Sequence, residues 1–228
     1  GVSQTLVVRA LATATGVDKA EVAHRLMGEW QPTAEEFLRI TSQESTPDSL
    51  ASRPYPFYLA YPLEADLSTL GAPNDWQIEW KWDGIRAQLI RRRGAASIWS
   101  RGEELITDRF PEVAAIADHL PDGTVIDGEI LAWRDGRVMP FQALQQRIGR
   151  KTLSKKVLAD APAAFMAYDL LEHEGIDLRT QPLAQRRALL EALSPRMPSP
   201  PFHISPLVHS EIVGEPTWEN LTHLRTSS

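Results

Sequence analysis

Lys81 sits between two acids in the segment Trp76-Gln-Ile-Glu-Trp-Lys-Trp-Asp-Gly-Ile-Arg86. Read with the two-residue period of a strand, Trp76, Ile78, Trp80 and Trp82 share one face, and Gln77, Glu79, Lys81 and Asp83 share the other. This reading predicts a strand over 76–82, with Gly84 allowing a sharp bend before Arg86. The chemistry open to such a lysine is nucleophilic attack. The amine must be neutral when it attacks, so it needs desolvation or nearby cations to shed its proton. Indoles on either side and an arginine close by are suitable surroundings. A half-buried strand whose lysine makes a surface ion pair has the same pattern.

Three further places carry side chains of the same kind. Arg101 and Gly102 follow the apolar run Ser97-Ile98-Trp99. A guanidinium is a bidentate, permanently charged partner for phosphate, although a solvated arginine at a strand end is common. Asp127 and Glu129 lie two apart, so a strand puts them on one face. Val125, Ile126, Ile130 and Leu131 surround them, and a carboxylate in apolar company normally has a partner. Tyr168 stands between Ala167 and Asp169 in an apolar run, where a tyrosine serves either the core or a stacking partner.

The elements that must position these groups are short strands mixed with helices. Strands are predicted over 76–82, 86–92, 96–100, 124–133 and 164–171. Arg92-Arg93-Gly94-Ala95 has the chemistry of a hairpin turn. Helices are predicted near 109–120, 140–149 and 182–193. Prolines 195, 198, 200, 201 and 206 confine 195–206 to loop or sheet edge. Residues 1–40 have helical spacing, with capping pairs at Asp18/Glu21 and Thr33/Glu36. Strands and helices do not alternate regularly, which favours an α+β domain with mainly antiparallel sheets over a doubly wound fold.

Lys81-Trp82-Asp83-Gly84-Ile85-Arg86 matches the K-x-D-G-x-R signature of the covalent nucleotidyltransferases: DNA ligases, RNA ligases and mRNA capping enzymes. Further segments follow in the family's order. They are Ser100-Arg101-Gly102-Glu103, Asp127-Gly128-Glu129 and Phe165-Met-Ala-Tyr168-Asp169-Leu-Leu171. Pro140-Phe141-Gln142-x-Leu144-x-x-Arg147 and Pro182-Leu-x-x-Arg186-Arg187 resemble stretches typical of DNA ligases. Pro54-Tyr-Pro-Phe-Tyr-Leu-Ala60 resembles the start of their catalytic domain. The chain thus resembles a bacterial ATP-dependent DNA ligase over essentially all of 54–228.

That resemblance implies a nucleotidyltransferase (adenylation) fold of ATP-grasp-like kind, mainly antiparallel sheets flanked by helices, with a short all-helical segment before it. It implies residues 1–45 as the end of an N-terminal DNA-binding domain, 46–53 as a linker, and 54–228 as an adenylation domain incomplete at its C-terminal side. Lys81 would be the nucleophile that takes AMP from ATP. Glu79, Lys81, Arg86, Arg101, Glu129 and Tyr168 would bind the nucleotide, Tyr168 by stacking on adenine where many relatives have Phe. Glu129 would also hold Mg²⁺ (or Mn²⁺), an ion that takes hard oxygens and few protein carboxylates. The partner would be nicked double-stranded DNA and the protein monomeric. An RNA ligase or GTP-using capping enzyme is the alternative enzyme class, and a truncated, non-catalytic DNA- or partner-binding module the alternative outside catalysis.

Composition bounds the rest. The 228 residues include no Cys, which removes disulfides, thiolate zinc sites and catalytic cysteine. A hydrophobic share of 43% and a charged share of 24% fit a globular chain. No apolar run reaches membrane-spanning length and no signal pattern opens the chain, so a cytoplasmic protein without membrane contact is expected. The formal charge is −6, yet 81–109 holds seven Lys and Arg against four Asp and Glu, a local +3. Nucleic-acid contact would rest on such local charge. The six His residues lack metal spacing. The chain begins Gly-Val and ends without a structural stop. The family's later E-G-x-x-x-K and K-x-K boxes and its C-terminal barrel do not occur before Ser228, so the sequence is expected to be part of a longer protein.

Overall fold

The computed structural model describes residues 4–26, 32–43, 51–58, 60–102, 104–148, 150, 153–208 and 216–227. Its centre is a seven-stranded sheet built from β1 (Ile85–Arg92), β2 (Ala95–Ser100), β3 (Thr124–Arg134), β4 (Arg137–Val138), β5 (Ala163–His173), β6 (Ile176–Asp177) and β7 (Phe202–Ile204). The main order is β2-β1-β3-β5-β6, with β4 on β3 and β7 on β5. Every pairing is antiparallel except β5 with β7. The architecture is therefore α+β and mainly antiparallel, as expected, and β7 occupies a sheet edge within the proline-rich stretch.

The β1–β2 hairpin closes through Arg93 and Gly94, with φ of 53° and 73°. Positive φ at both central residues matches the right-handed strand twist, and glycine supplies the second at little cost. The same device joins β3 to β4 through Asp135 and Gly136, and β5 to β6 through Glu174 and Gly175. Of the three, only Arg93-Gly94 is among the turns predicted from sequence.

Strand periodicity divides the core. Leu89, Ile98, Ile126 and Leu170 point to one face, where they pack with Phe110, Val113, Ile116, Leu144, Leu190 and Leu193. Those partners come largely from α4 (Pro111–Ala114), α5 (Gln142–Ile148) and α7 (Leu183–Leu193), with the short α6 (Lys155–Asp160) between the last two in the chain. Their immediate neighbours Ile90, Trp99, Val125 and Leu171 point to the opposite face. There they meet Val8, Val17, Val22 and Ala23 of the N-terminal helices α1 (Gln4–Thr15) and α2 (Lys19–Arg25) and the turn between them. Both predicted caps form: Asp18 accepts from Glu21 N at 3.3 Å, and Thr33 from Glu36 N at 3.2 Å, at the start of α3 (Ala34–Thr41).

Residues 51–53 are also tied to the sheet. The buried Trp99 indole donates to Ser52 O at 2.6 Å, and Arg92 donates to Ala51 O and Arg53 O at 3.1 and 2.8 Å. Residues 46–50 lie outside the described part. The predicted helix near 109–120 is broken into the single α turn α4 between 3₁₀ turns at Thr107–Arg109 and Ala115–His119. Pro111, which fits only the first turn of a helix, fixes where α4 begins. Trp30 and Glu103 are likewise outside the described residues.

Candidate active site

The segment bearing Lys81 is not a strand. Among the described residues it makes one isolated bridge, Glu79 to Leu207, and β1 begins only at Ile85. The two-faced reading of 76–82 fails with it. Trp76 is exposed, and Trp80, Lys81, Trp82 and Asp83 all line the same cavity. Alternation of side chains is enforced by a ladder of hydrogen bonds on both sides, and this segment has only a single rung.

That cavity, of about 700 Å³, is lined by residues from five separate stretches: Tyr58 and Ala60, Glu79 to Arg86, Ser100 to Gly102, Glu129, and Tyr168. All six side chains singled out from sequence, Glu79, Lys81, Arg86, Arg101, Glu129 and Tyr168, border it. Lys81 and Arg101 are exposed within it. Tyr58, Asp83 and Ser100 border it as well, beyond the six residues singled out from sequence. The signal that marks them is that each lies inside a segment carrying the resemblance, 54–60, 81–86 and 100–103 respectively.

Two glycines permit the close packing around it. A Cβ on Gly84 would lie 2.3 Å from Ile130 O and 2.9 Å from Glu129 Cγ. A Cβ on Gly128 would lie 2.6 Å from Phe165 Cζ and 2.7 Å from Met166 O. The lysine segment can therefore run against β3 only because Gly84 carries no side chain, and Gly128 gives β3 the same close approach to Phe165 and Met166 of β5.

Tyr168 reaches the cavity through an irregularity. Asp127 pairs with Asp169 and Gly128 with Ala167, so Tyr168 falls between successive pairs as an extra residue. Such a bulge re-aims a side chain. It turns Tyr168 and Asp169 to the same side despite their adjacency. The Tyr168 hydroxyl lies 3.4 Å from Asp127 Oδ1 and 3.3 Å from Gly128 O. Burial, with Asp127 nearby, pushes this phenol well above its ordinary range.

The bulge leaves two buried acids facing each other across the strands, and each has its own arginine. Arg86 donates to Asp127 at 2.9 and 3.4 Å, and Arg186 to Asp169 at 2.8 and 2.9 Å. Arg86 also donates to Tyr58 O and lies 5.6 Å from the Phe57 ring centroid and 5.9 Å from that of Tyr168. Its guanidinium thus borders the cavity while engaged with the protein. Asp127 is nonetheless pushed up, burial outweighing Arg86.

Glu79 and Glu129 are both carboxyls pushed up to about 7. Burial is the main cause for each. Arg187 opposes it at Glu79. At Glu129, Arg86, the Gly84 amide and Lys81 oppose it, while Asp127 adds to it. No group of three or more His, Cys, Asp or Glu arranged to hold a metal occurs among the described residues. Glu129 can offer one desolvated carboxylate. A Mg²⁺ ion would relieve that desolvation, and such ions are commonly held by one carboxylate plus substrate oxygens. The donor set therefore fits the ion only together with a phosphate-bearing substrate. Chemically the cavity joins an accessible amine, an accessible guanidinium, two carboxyls that titrate near neutrality and several aromatic surfaces.

Comparison with known proteins gives a consistent result. The family model for the ATP dependent DNA ligase domain matches residues 59–210. A probable DNA ligase of Koribacter versatilis is 34% identical over 195 residues, covering 85% of this chain and 34% of that protein. A probable DNA ligase of Opitutus terrae is 47% identical over 117 residues, covering 51% of this chain and 12% of that protein. The chain thus spans about a third or less of these relatives. Among solved structures, the ligase domain of M. tuberculosis LigD matches with 29% identity and a TM-score of 0.46, over 60% of this chain and 40% of that one.

Proposed function

Because the chain belongs to the ATP-dependent DNA ligase domain family, we propose that it carries the adenylation site of an enzyme that seals nicks in double-stranded DNA, with Lys81 as the nucleophile. The convergence of the five stretches on one cavity around an accessible Lys81 carries this reading. The division proposed with it is a helical segment over 1–45, a linker over 46–53 and the adenylation domain from 54 onward.

Lys81 Nζ attacks the α-phosphorus of ATP. A nitrogen–phosphorus bond forms as the bond to pyrophosphate breaks, and the amine's proton is lost to solvent or a neighbouring base. Lys81 then gives up AMP to the 5′-phosphate at the nick, and the 3′-hydroxyl displaces AMP to join the strand. Each displacement is in-line at phosphorus, so positioning and charge neutralisation supply most of the rate. Arg101 faces the cavity as an accessible phosphate partner. Arg86 borders the ribose and phosphate region while held by Asp127. Tyr168 offers its ring to adenine, and Glu79 accepts from the base's amino group. Glu129 would hold Mg²⁺ (or Mn²⁺), which when bound neutralises charge on the phosphate oxygens.

The proposal is tested with the full-length protein and triphosphates labelled at the α-phosphate. ATP is expected to label the protein and GTP to leave it unlabelled, and nicked DNA to be sealed in preference to nicked RNA. Labelling by GTP would favour a capping-type enzyme, sealing of RNA an RNA ligase, and no labelling at all a non-catalytic module.

Glu129 yields a prediction separate from activity. Its carboxyl stands near 7 in the folded chain against a reference of 4.5. Between those values the folded state binds more protons than the unfolded one. Stability therefore falls as pH rises from about 4.5 to 7 and is level above. Glu129→Gln is expected to remove about 1–3 kcal/mol of that fall, making the ligand-free protein more stable than wild type at pH 8. Mg²⁺ with a non-hydrolysable ATP analogue should stabilise wild type more than the variant. Urea unfolding at pH 5 and pH 8 measures both, and an unchanged pH slope would refute the assignment.

A further inference from the structure

We infer that Arg187 is a positioning residue for base recognition: it fixes Glu79, and with it the segment carrying Lys81, as the acceptor for the exocyclic amino group of adenine. The inference rests on the proposed role of Glu79 and adds the device that makes that role possible.

The lysine segment lacks a ladder, so something else must hold it. Its attachments converge on a short stretch after β7. Val208 N donates to Ile78 O at 2.8 Å, Leu207 bridges to Glu79, and the Trp82 indole donates to Ser205 Oγ at 3.0 Å. Ser205 is fully buried and anchored to β5 through its amide, 2.8 Å from Ala167 O. Arg187 joins these parts with one guanidinium. Nη1 lies 3.1 Å from Glu79 Oε1, Nη2 donates to Ser205 O at 2.8 Å, and Nε to Glu191 at 2.7 Å. A planar fork spreads its donors over three nitrogens in fixed directions and so reaches three separated partners, whereas the three donors of an ammonium radiate from a single atom.

The arrangement is directional. Glu79 borders the cavity, whereas Arg187 is buried behind it and absent from the lining. Arg187 therefore acts on anything in the cavity through Glu79, and through Ser205, which holds the Trp82 indole. The charged groups facing Glu79 are Arg187 from α7 and Asp169 from β5, the latter neutralised by Arg186, and Gln77 donates to it from its own segment. Arg187 is thus the cation that favours the ionised form. A carboxylate held there accepts from the amino group of adenine and opposes the carbonyl oxygen that guanine presents at the equivalent position.

The test uses the full-length protein and compares ATP with purine riboside triphosphate, which lacks the amino group, in lysine–AMP formation. Wild type is expected to prefer ATP by about 10- to 100-fold in kcat/KM, the value of one hydrogen bond to a charged acceptor. Glu79→Leu, which leaves no acceptor, and Arg187→Gln should both reduce that preference to within about threefold. The part of the acid limb of kcat/KM for ATP that Glu79 contributes should move to higher pH in Arg187→Gln, because the carboxyl loses the charge that favours ionisation, and should be lost in Glu79→Leu, which leaves the limb set by Glu129 and Lys81. Arg187→Lys, which keeps the charge, should restore the limb while recovering only part of the preference. It also carries the test should Arg187→Gln fail to fold. If Glu79→Leu keeps the preference, Glu79 does not read the base and the inference falls with it. If Glu79→Leu loses the preference but both Arg187 variants keep it along with the wild-type acid limb, base reading stands and positioning by Arg187 is overturned.

Discussion

Lys81→Ala will leave no AMP attached to the protein after incubation with ATP labelled at the α-phosphate, and nick sealing will fall to background. Nothing else in the cavity can replace the amine. Arg101 and Arg86 carry guanidiniums, which stay protonated and are poor nucleophiles, and the described chain places no second lysine in the lining. The loss should exceed the 10²- to 10³-fold that follows removal of one transition-state hydrogen-bond donor, because the bond-forming atom itself is gone. Lys81→Arg should be equally inactive in AMP transfer, separating nucleophilicity from charge. A pre-adenylated nick bypasses the first step, so the variants should retain part of their sealing on that substrate. Peptide mapping of the labelled wild-type protein gives the decisive result. AMP on another lysine, or undiminished labelling of Lys81→Ala, would overturn the assignment.

Glu112→Ala will destabilise the fold by about 3–5 kcal/mol, the usual result of leaving a buried charge without its partner. Arg147 is fully buried and donates to Glu112 at 2.6 and 2.8 Å, to Ala161 O at 3.0 Å, and lies 4.9 Å from the Phe110 ring centroid. Glu112 also accepts from Ala163 N at 3.0 Å, at the start of β5. Removing the carboxylate unpairs the guanidinium and releases the first rung of the strand that carries Tyr168. For a domain of this size the midpoint of thermal unfolding should drop by roughly 10 °C. Glu112→Gln should cost less, since one amide oxygen still accepts. Replacing both partners by apolar residues of similar size should recover much of the loss. Urea unfolding distinguishes these cases, and a cost below about 1 kcal/mol for Glu112→Ala would show that water reaches Arg147.

Arg147 shows how function and architecture are mixed within one motif. It ends the Pro140-Phe-Gln-x-Leu-x-x-Arg stretch that marks the resemblance to DNA ligases, yet its side chain is buried away from the cavity. Arg186 and Arg187 are similar, the one neutralising Asp169 and the other holding Glu79. A signature records everything a fold must keep, and charge pairs inside the scaffold are part of that.

The features legible in the sequence depend on near neighbours along the chain. The short apolar, turn-bounded runs over 86–92, 96–100, 124–133 and 164–171 correspond to β1, β2, β3 and β5. The Arg93-Gly94 turn and the caps at Asp18 and Thr33 form because their residues favour those backbone conformations locally. The ordered boxes named the side chains that border the cavity. Tertiary structure decided what depends on partners far away in sequence. Apolar alternation over 76–82 made no strand, because a strand needs a neighbour to complete its ladder and 205–208 supplies only one rung. The bulge that turns Tyr168 inward exists only in the pairing of β3 with β5. Glu79 and Arg187 stand 108 residues apart, and Arg86 and Asp127 are 41 apart. Residue type tells that a buried charge must find an opposite one, but the choice among the available partners is made by how the elements pack.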